Sequence, residues 1–214
     1  MTAPVLLINP NSSAETTRLM VEIARAAAKT IAIEGMTAPY GPRLITDEAG
    51  LAAAATVVAE IDLPAHYLGV VVAAFGDPGR DALAERQTVP VVGIAEAGMR
   101  AAALNGRRFS VVTTTPDLVQ AIERRAAMLG CGRELVSVRL TEAPLQAVMS
   151  DPKRLRSALA KAIARAIEED GAEAVVIGGG PLAAAARSLA GTTPVPLIEP
   201  LPAAVAAMER LLSD

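Results

Sequence analysis

The chain has 214 residues, a formal net charge of −3 and one cysteine, Cys131. Near-neutral charge, with cations scattered as at Arg124, Arg125, Lys153, Arg154 and Arg156, argues against a nucleic-acid partner, and a lone cysteine excludes an internal disulfide and fits a reducing, cytoplasmic setting. Hydrophobic residues make up 52% against 20% charged, mostly Ala and Val, so a close-packed core is within reach, but no apolar run is long enough to cross a membrane and the N-terminus reads as a strand rather than a signal peptide.

Val5–Ile8 forms the first expected strand. It ends in Asn-Pro-Asn-Ser-Ser, where Ser12 or Ser13 caps a helix over 14–32. A short strand at 36–38 is broken by Tyr40-Gly41-Pro42. Thr46 and Asp47 cap an alanine-rich helix to Glu60. A strand at 69–73 leads into Asp-Pro-Gly, with Pro78 placed for a helix start and Asp77 as its cap. A strand at 89–93 and a helix at 94–104 follow, and Asn105-Gly106 marks a turn. The second half repeats the order: a strand at 109–113, a helix from Pro116 closed by Gly130-Cys131-Gly132, and a strand at 134–139. A long amphipathic helix runs from Asp151-Pro152 to about Glu169. A strand at 174–177, a helix at 181–190, a strand at 195–198 and a helix at 202–211 complete the chain.

Two stretches organise this series. VVVAAFGDPG (Val70–Gly79) and AVVIGGGPLAAAA (Ala174–Ala186) are each a β-branched run ending in tiny residues before a helix. They read as buried parallel strands delivering small side chains to their carboxyl ends, where open α/β sheets bind ligands. Ala73, Ala74 and Phe75 would face Gly178, Gly179 and Gly180 as two walls of a cleft. Two more pairs match at nearly the same offset: VLLINPNSSAETTRLM with FSVVTTTPDLVQAIER, and VPVVGIAEAG with VPLIEPLPAA. Three matches in one order imply an internal duplication. The expected fold is α/β, with two pseudo-symmetric Rossmann-like lobes of parallel sheet and a cleft between them. The lobes are expected at 1–95 and 96–201, with the helix at 202–214 packing back onto the first.

The repeat also relates two strand-to-helix turns, Asn9-Asn11-Ser12-Ser13 and Thr113-Thr114-Thr115. Neutral donors at helix starts suit a carboxylate or simply cap the helix. Without Lys or Arg they do not suit a multiply charged phosphate. No GxxxxGK[ST] loop occurs, and Gly178-Gly179-Gly180-Pro181 lacks dinucleotide-motif spacing. One histidine, His66, and no cysteine cluster give no expected metal site.

INPNSS (Ile8–Ser13), AAFGDPG (Ala73–Gly79), VTTT (Val112–Thr115), VVIGGGP (Val175–Pro181) and VPLIEP (Val195–Pro200) resemble the aspartate/glutamate/hydantoin racemase superfamily, and most nearly its hydantoin racemase branch. The resemblance implies a cofactor-free site for a small carboxylate or cyclic imide. It also implies two cysteines facing each other across the substrate, one removing the α-proton and the other returning one to the opposite face. Here Ala74 and Gly179 occupy those two positions, so the two-thiol mechanism is expected to be lost. A decarboxylase branch keeps the second cysteine, and this chain lacks that one too. Asp77 and Glu199 remain as candidate acid–base groups, each with a structural alternative: Asp77 as a helix cap, Glu199 facing solvent. Glu96 reads as a helix-dipole partner, and His66 and Cys131 as structural or surface residues. Tyr40 is a candidate lid. Asn9, Asn11, Ser12, Phe75, Thr113, Thr114, Gly180 and Pro181 are the expected substrate contacts. The readings left open are an isomerase, a lyase or hydrolase on the same scaffold, a non-catalytic binding protein and an inactivated variant. Alanine-rich helix faces such as 183–186 suggest a homo-oligomer.

Overall fold

The computed structural model describes residues 3–142, 151–179 and 182–213. The chain divides into two compact units, Met1–Ala97 with Leu201–Asp214, and Gly98–Pro200. Each is built on a four-stranded, all-parallel sheet.

In the first unit β1 (Val5–Asn9), β2 (Ile33–Thr37), β3 (Gly69–Val72) and β4 (Val91–Gly93) lie in the order β2-β1-β3-β4. β1 and β3 are buried throughout. Their alternate residues therefore feed two cores, as a parallel sheet covered on both faces requires. Val5, Leu7, Val71 and Val92 pack with Met20, Val21 and Ala24 of α1 (Ala14–Ala27) and with Leu201, Ala204, Val205 and Met208 of the last helix (Pro200–Ser213). Leu6, Ile8, Val70, Val72 and Val91 pack with Val58 of α2 (Glu48–Glu60) and Leu83 of α3 (Arg80–Arg86). Ser13 caps α1 by accepting from the Thr16 N–H at 3.3 Å, and Asp47 caps α2 by accepting from Gly50 at 2.7 Å.

The end of α1 and the start of α3 differ from expectation. α1 ends at Ala27 because Ala28 turns extended and the N–H groups of Lys29 and Thr30 donate to Glu209 of the last helix at 2.6 and 2.7 Å. That acceptor lies far along the chain, so local alanine content could not reveal the stop. α3 begins at Arg80 rather than Pro78, with Gly79 (φ 72°) as its cap, and Asp77 does not cap it.

In the second unit β5 (Phe109–Thr113), β6 (Leu135–Leu140), β7 (Ala174–Ile177) and β8 (Leu197–Ile198) take the order β6-β5-β7-β8. α4 (Ile94–Ala102) precedes them and α5 (Val119–Met128) follows β5 after a 3₁₀ turn at Pro116–Leu118. α5 closes with Gly130 at φ 75°, its N–H on Ala127 and that of Cys131 on Ala126, a paired closure that satisfies the last carbonyls. α6 (Pro152–Glu168) is capped by Asp151, which accepts from Lys153 at 2.9 Å and Arg154 at 3.4 Å. Its buried stripe of Leu155, Leu159, Ala162, Ile163 and Ala166 meets Val112, Val175 and Ile177, together with Leu182 and residues of α7 (Ala183–Leu189). α8 (Pro200–Ser213) closes the chain.

The shared order reverses direction between the first and third strands of each sheet. Ligands of open parallel sheets bind at the carboxyl ends of strands around such a reversal. Asn9, Thr113, Ala73–Ala74 and Gly178–Gly179 all stand there. Among the described residues, no helix is long and apolar enough to cross a membrane.

Candidate active site

In the first unit the turn after β1 is held from within. Asn9 is fully buried, and its Nδ2 donates to Asn11 Oδ1 (2.9 Å), Ser13 O (3.1 Å) and Thr17 Oγ1 (3.0 Å), while its Oδ1 accepts from Asn11 N (3.2 Å). Asn9 therefore shapes the turn. Asn11 Oδ1 is also engaged, by Asn9 and by Ser13 N at 3.1 Å, but its Nδ2 makes no hydrogen bond among the described residues. Ser12 bonds to a neighbouring loop: its hydroxyl donates to Gly41 O at 3.1 Å and its N–H to Pro42 O at 3.0 Å. These bonds pin the segment carrying Tyr40. Tyr40 itself is 55% exposed and donates to Glu60, whose carboxylate raises the phenol pKa.

After β3 the chain winds tightly. Ala73 N donates to Ile8 O at 2.8 Å, Ala74 is half-buried, Phe75 is buried, and Gly76 and Asp77 take φ of 109° and 51°. Asp77 is one of two described non-glycine residues at positive φ, a sterically costly state. Its two carboxylate oxygens accept from Ala95 N and Glu96 N, each at 2.7 Å. Asp77 thus caps α4, the helix after the next strand, where a negative charge meets free N–H groups and the positive end of the dipole. Gly93 allows this approach, because a Cβ there would overlap the Asp77 carboxyl group. Glu96 faces Arg80 Nε at 3.1 Å.

In the second unit Thr113 is buried, donates to Gly178 O at 2.8 Å and lies 3.0 Å from the Thr115 hydroxyl. It ties the end of β5 to the end of β7. Thr114 is buried too, and its hydroxyl makes no hydrogen bond among the described residues. Gly178 N donates to Val112 O at 2.8 Å, repeating the Ala73–Ile8 bond of the first unit. Gly179 is half-buried, and a Cβ there would meet Leu182 at 3.3–3.4 Å. Gly180 and Pro181 lie outside the described residues. Glu199 follows β8 and accepts from Arg187 Nε at 3.0 Å, with its side chain 21% exposed.

Sequence reasoning passed over Thr141. It follows β6, is 8% exposed, and its hydroxyl has no partner among the described residues. Only alignment of the two halves could have singled it out. His66 and Cys131 are remote from the strand ends in question, since each precedes a strand, β3 and β6 respectively. His66 is exposed and lies 4.2 Å from the Tyr67 ring. Cys131 is buried, and burial pushes its thiol pKa up, the reverse of what a reactive thiolate needs.

Paired four-stranded parallel sheets with repeated order, and polar turns at matching strand ends, define a duplicated α/β enzyme scaffold. Residues 5–208 match the Asp/Glu/Hydantoin racemase family model. Hydantoin racemase from Rhizobium meliloti is 37% identical, with 96% of this chain and 87% of the relative covered. Hydantoin racemase from Paenarthrobacter aurescens is 32% identical, covering 98% and 91%. The crystal structure of allantoin racemase from Pseudomonas fluorescens superposes with a TM-score of 0.90 at 32% identity, covering 98% of this chain and 91% of that one. The chain belongs to the Asp/Glu/hydantoin racemase family and is a racemase-superfamily enzyme of the hydantoin- and allantoin-racemase-like kind.

Proposed function

We propose that this enzyme acts without a cofactor on a small hydantoin-like cyclic imide, or a related carboxylate, at a carbon acidified by an adjacent carbonyl, and that it moves the proton without thiols. The observation that carries this reading is the pair Ala74 and Gly179. Both are half-buried just past the carboxyl ends of β3 and β7, and neither has an ionisable atom. The similarity to hydantoin and allantoin racemases supports the substrate class.

Of the two carboxylates nominated from sequence, Asp77 has both oxygens bound to α4. Glu199 is the better base, being partly exposed and bonded, among the described residues, only through Arg187 Nε at 3.0 Å. In the proposed step the Glu199 carboxylate takes the proton from the ring carbon. The C–H electron pair moves into the carbonyl as an enolate, which neutral donors such as Thr114 stabilise. Water then protonates the opposite face, and the resulting hydroxide takes the proton from Glu199, so charge and atoms balance.

Incubating single enantiomers of 5-substituted hydantoins and of allantoin in deuterated water tests this. Loss of the ring C–H signal with loss of optical rotation is expected, and Glu199→Gln should lower the rate about a hundredfold or more. Unchanged rates in Glu199→Gln would remove it as the base. Binding without exchange would favour a second reading, a binding protein, which the absence of ionisable atoms at positions 74 and 179 also supports. A74C with G179C should raise exchange well above wild type if the substrate class is right. Failure of both proteins to bind any of these compounds would overturn it.

A further inference from the structure

The two units place different residues at one backbone position. Ala38 N donates to Asn9 O at 2.9 Å just past β2, and Thr141 N donates to Thr113 O at 3.1 Å just past β6. Both residues are buried, at 3% and 8% exposure. The alanine shows that this corner of the fold closes with a methyl group alone. The threonine adds a hydroxyl that is shielded from solvent and has no partner among the described residues. A shielded, unpaired hydroxyl lowers stability, because it leaves water without gaining a replacement bond. Such groups call for a specific explanation, and a role in bonding a ligand is one.

The location narrows the explanation. Thr141 is hydrogen-bonded to the end of β5, one residue from Thr114, whose hydroxyl is also without a partner among the described residues. Both belong to the second unit and stand at the carboxyl side of its sheet, beside the reversal in strand order. A hydroxyl both donates and accepts. That versatility matches the edge of a cyclic imide, where carbonyl acceptors alternate with N–H donors. We infer that Thr141 is a ligand-recognition residue whose hydroxyl bonds the amide-type edge of the substrate ring, with Thr114 as its neighbour on the same strand ends. This rests on the substrate reading above and adds a residue to it.

Thr141→Val tests it, because ligand and structural roles move different quantities. The unliganded variant should melt at or above the wild-type temperature, since it loses only an unpaired hydroxyl. Its dissociation constant for a 5-substituted hydantoin, measured by titration calorimetry, should rise about tenfold, the factor of one ordinary hydrogen bond. Thr141→Ser, which keeps the hydroxyl, should stay within about twofold of wild type. A melting temperature several degrees lower in Thr141→Val would mean that the hydroxyl has a protein partner, and would overturn the inference. So would unchanged hydantoin affinity in that variant while the wild type binds, with the substrate reading left standing. A wild type that binds no hydantoin would overturn the substrate reading, and the ring-edge role with it.

Discussion

The two units share a sheet order and use the end of its fourth strand differently. In the first, Gly93 ends β4, and Asp77 crosses over it to cap α4 with both carboxylate oxygens. In the second, the residue after β8 is Glu199, paired with Arg187. The place that Asp77 holds in the turn after β3 is taken there, after β7, by Leu182, 1% exposed and part of the apolar core. The first unit thus commits its carboxylate to a helix start and needs a bare backbone beneath it. The second buries a leucine instead and has room for a glutamate side chain. A repeated fold holds its strand order while the same corner changes from a buried helix cap to a partly exposed ion pair.

Removing Asp77 should break that contrast most severely. Asp77→Ala leaves the Ala95 and Glu96 N–H groups without their charged acceptor, at a cost of about 3 kcal/mol in a denaturant titration. Gly93→Ala should cost about 2 kcal/mol by forcing the carboxylate off its donors. In an Asp77→Ala background the same change should cost under about 1 kcal/mol, since the clashing group is gone. Additive losses in this double-mutant cycle would show that the glycine is there for another reason.

Much of this was legible in the sequence, for identifiable reasons. The β-branched runs at Val70–Val72 and Val175–Ile177 are buried on both faces, so hydrophobicity alone announces them, and the repeat fixed the order of elements. The turns at Asn9–Ser13 and Thr113–Thr115 were recognisable because capping chemistry is local. What escaped was set by distant partners. Asp77 sits before proline and glycine, a local cap signature, yet its donors are eighteen and nineteen residues further on. The bond from Ser12 to Gly41 was not legible, because that acceptor lies in another loop. Thr141 is invisible without Ala38 as its control.

At the corresponding corner of the second unit, stability should hardly respond. Glu199→Ala or Arg187→Ala removes a partly exposed pair, side chains 21% and 44% accessible, and should cost less than about 1 kcal/mol. Glu199→Gln should nevertheless have the large kinetic effect described above. A denaturation midpoint that collapsed in Glu199→Ala would show that this corner is as structural as its counterpart at Gly93.

The smallest effect separates the units by pH and salt. Each holds a carboxylate below its ordinary range. In the second unit, hydrogen bonds from the Arg139 guanidinium lower the Asp170 pKa, burial opposes the shift, and the Ser137 hydroxyl at 2.6 Å assists. In the first, burial works against Glu209, but backbone N–H groups of Thr30, Lys29 and Ile31 outweigh it and lower its pKa. A lowered folded pKa means that the native state binds fewer protons than the unfolded chain. Both contributions are therefore complete above the unfolded carboxylate pKa of about 4, and fade as pH falls through the folded value. Salt should tell them apart. The Asp170–Arg139 attraction is between full charges near the surface and is screened, whereas Glu209 is held by short bonds to peptide dipoles. Added salt should thus flatten the acid limb that Asp170→Asn removes and spare the one that Glu209→Gln removes. Equal salt sensitivity would mean that both carboxylates answer mainly to distant charges, and the two units would then share one kind of acid response.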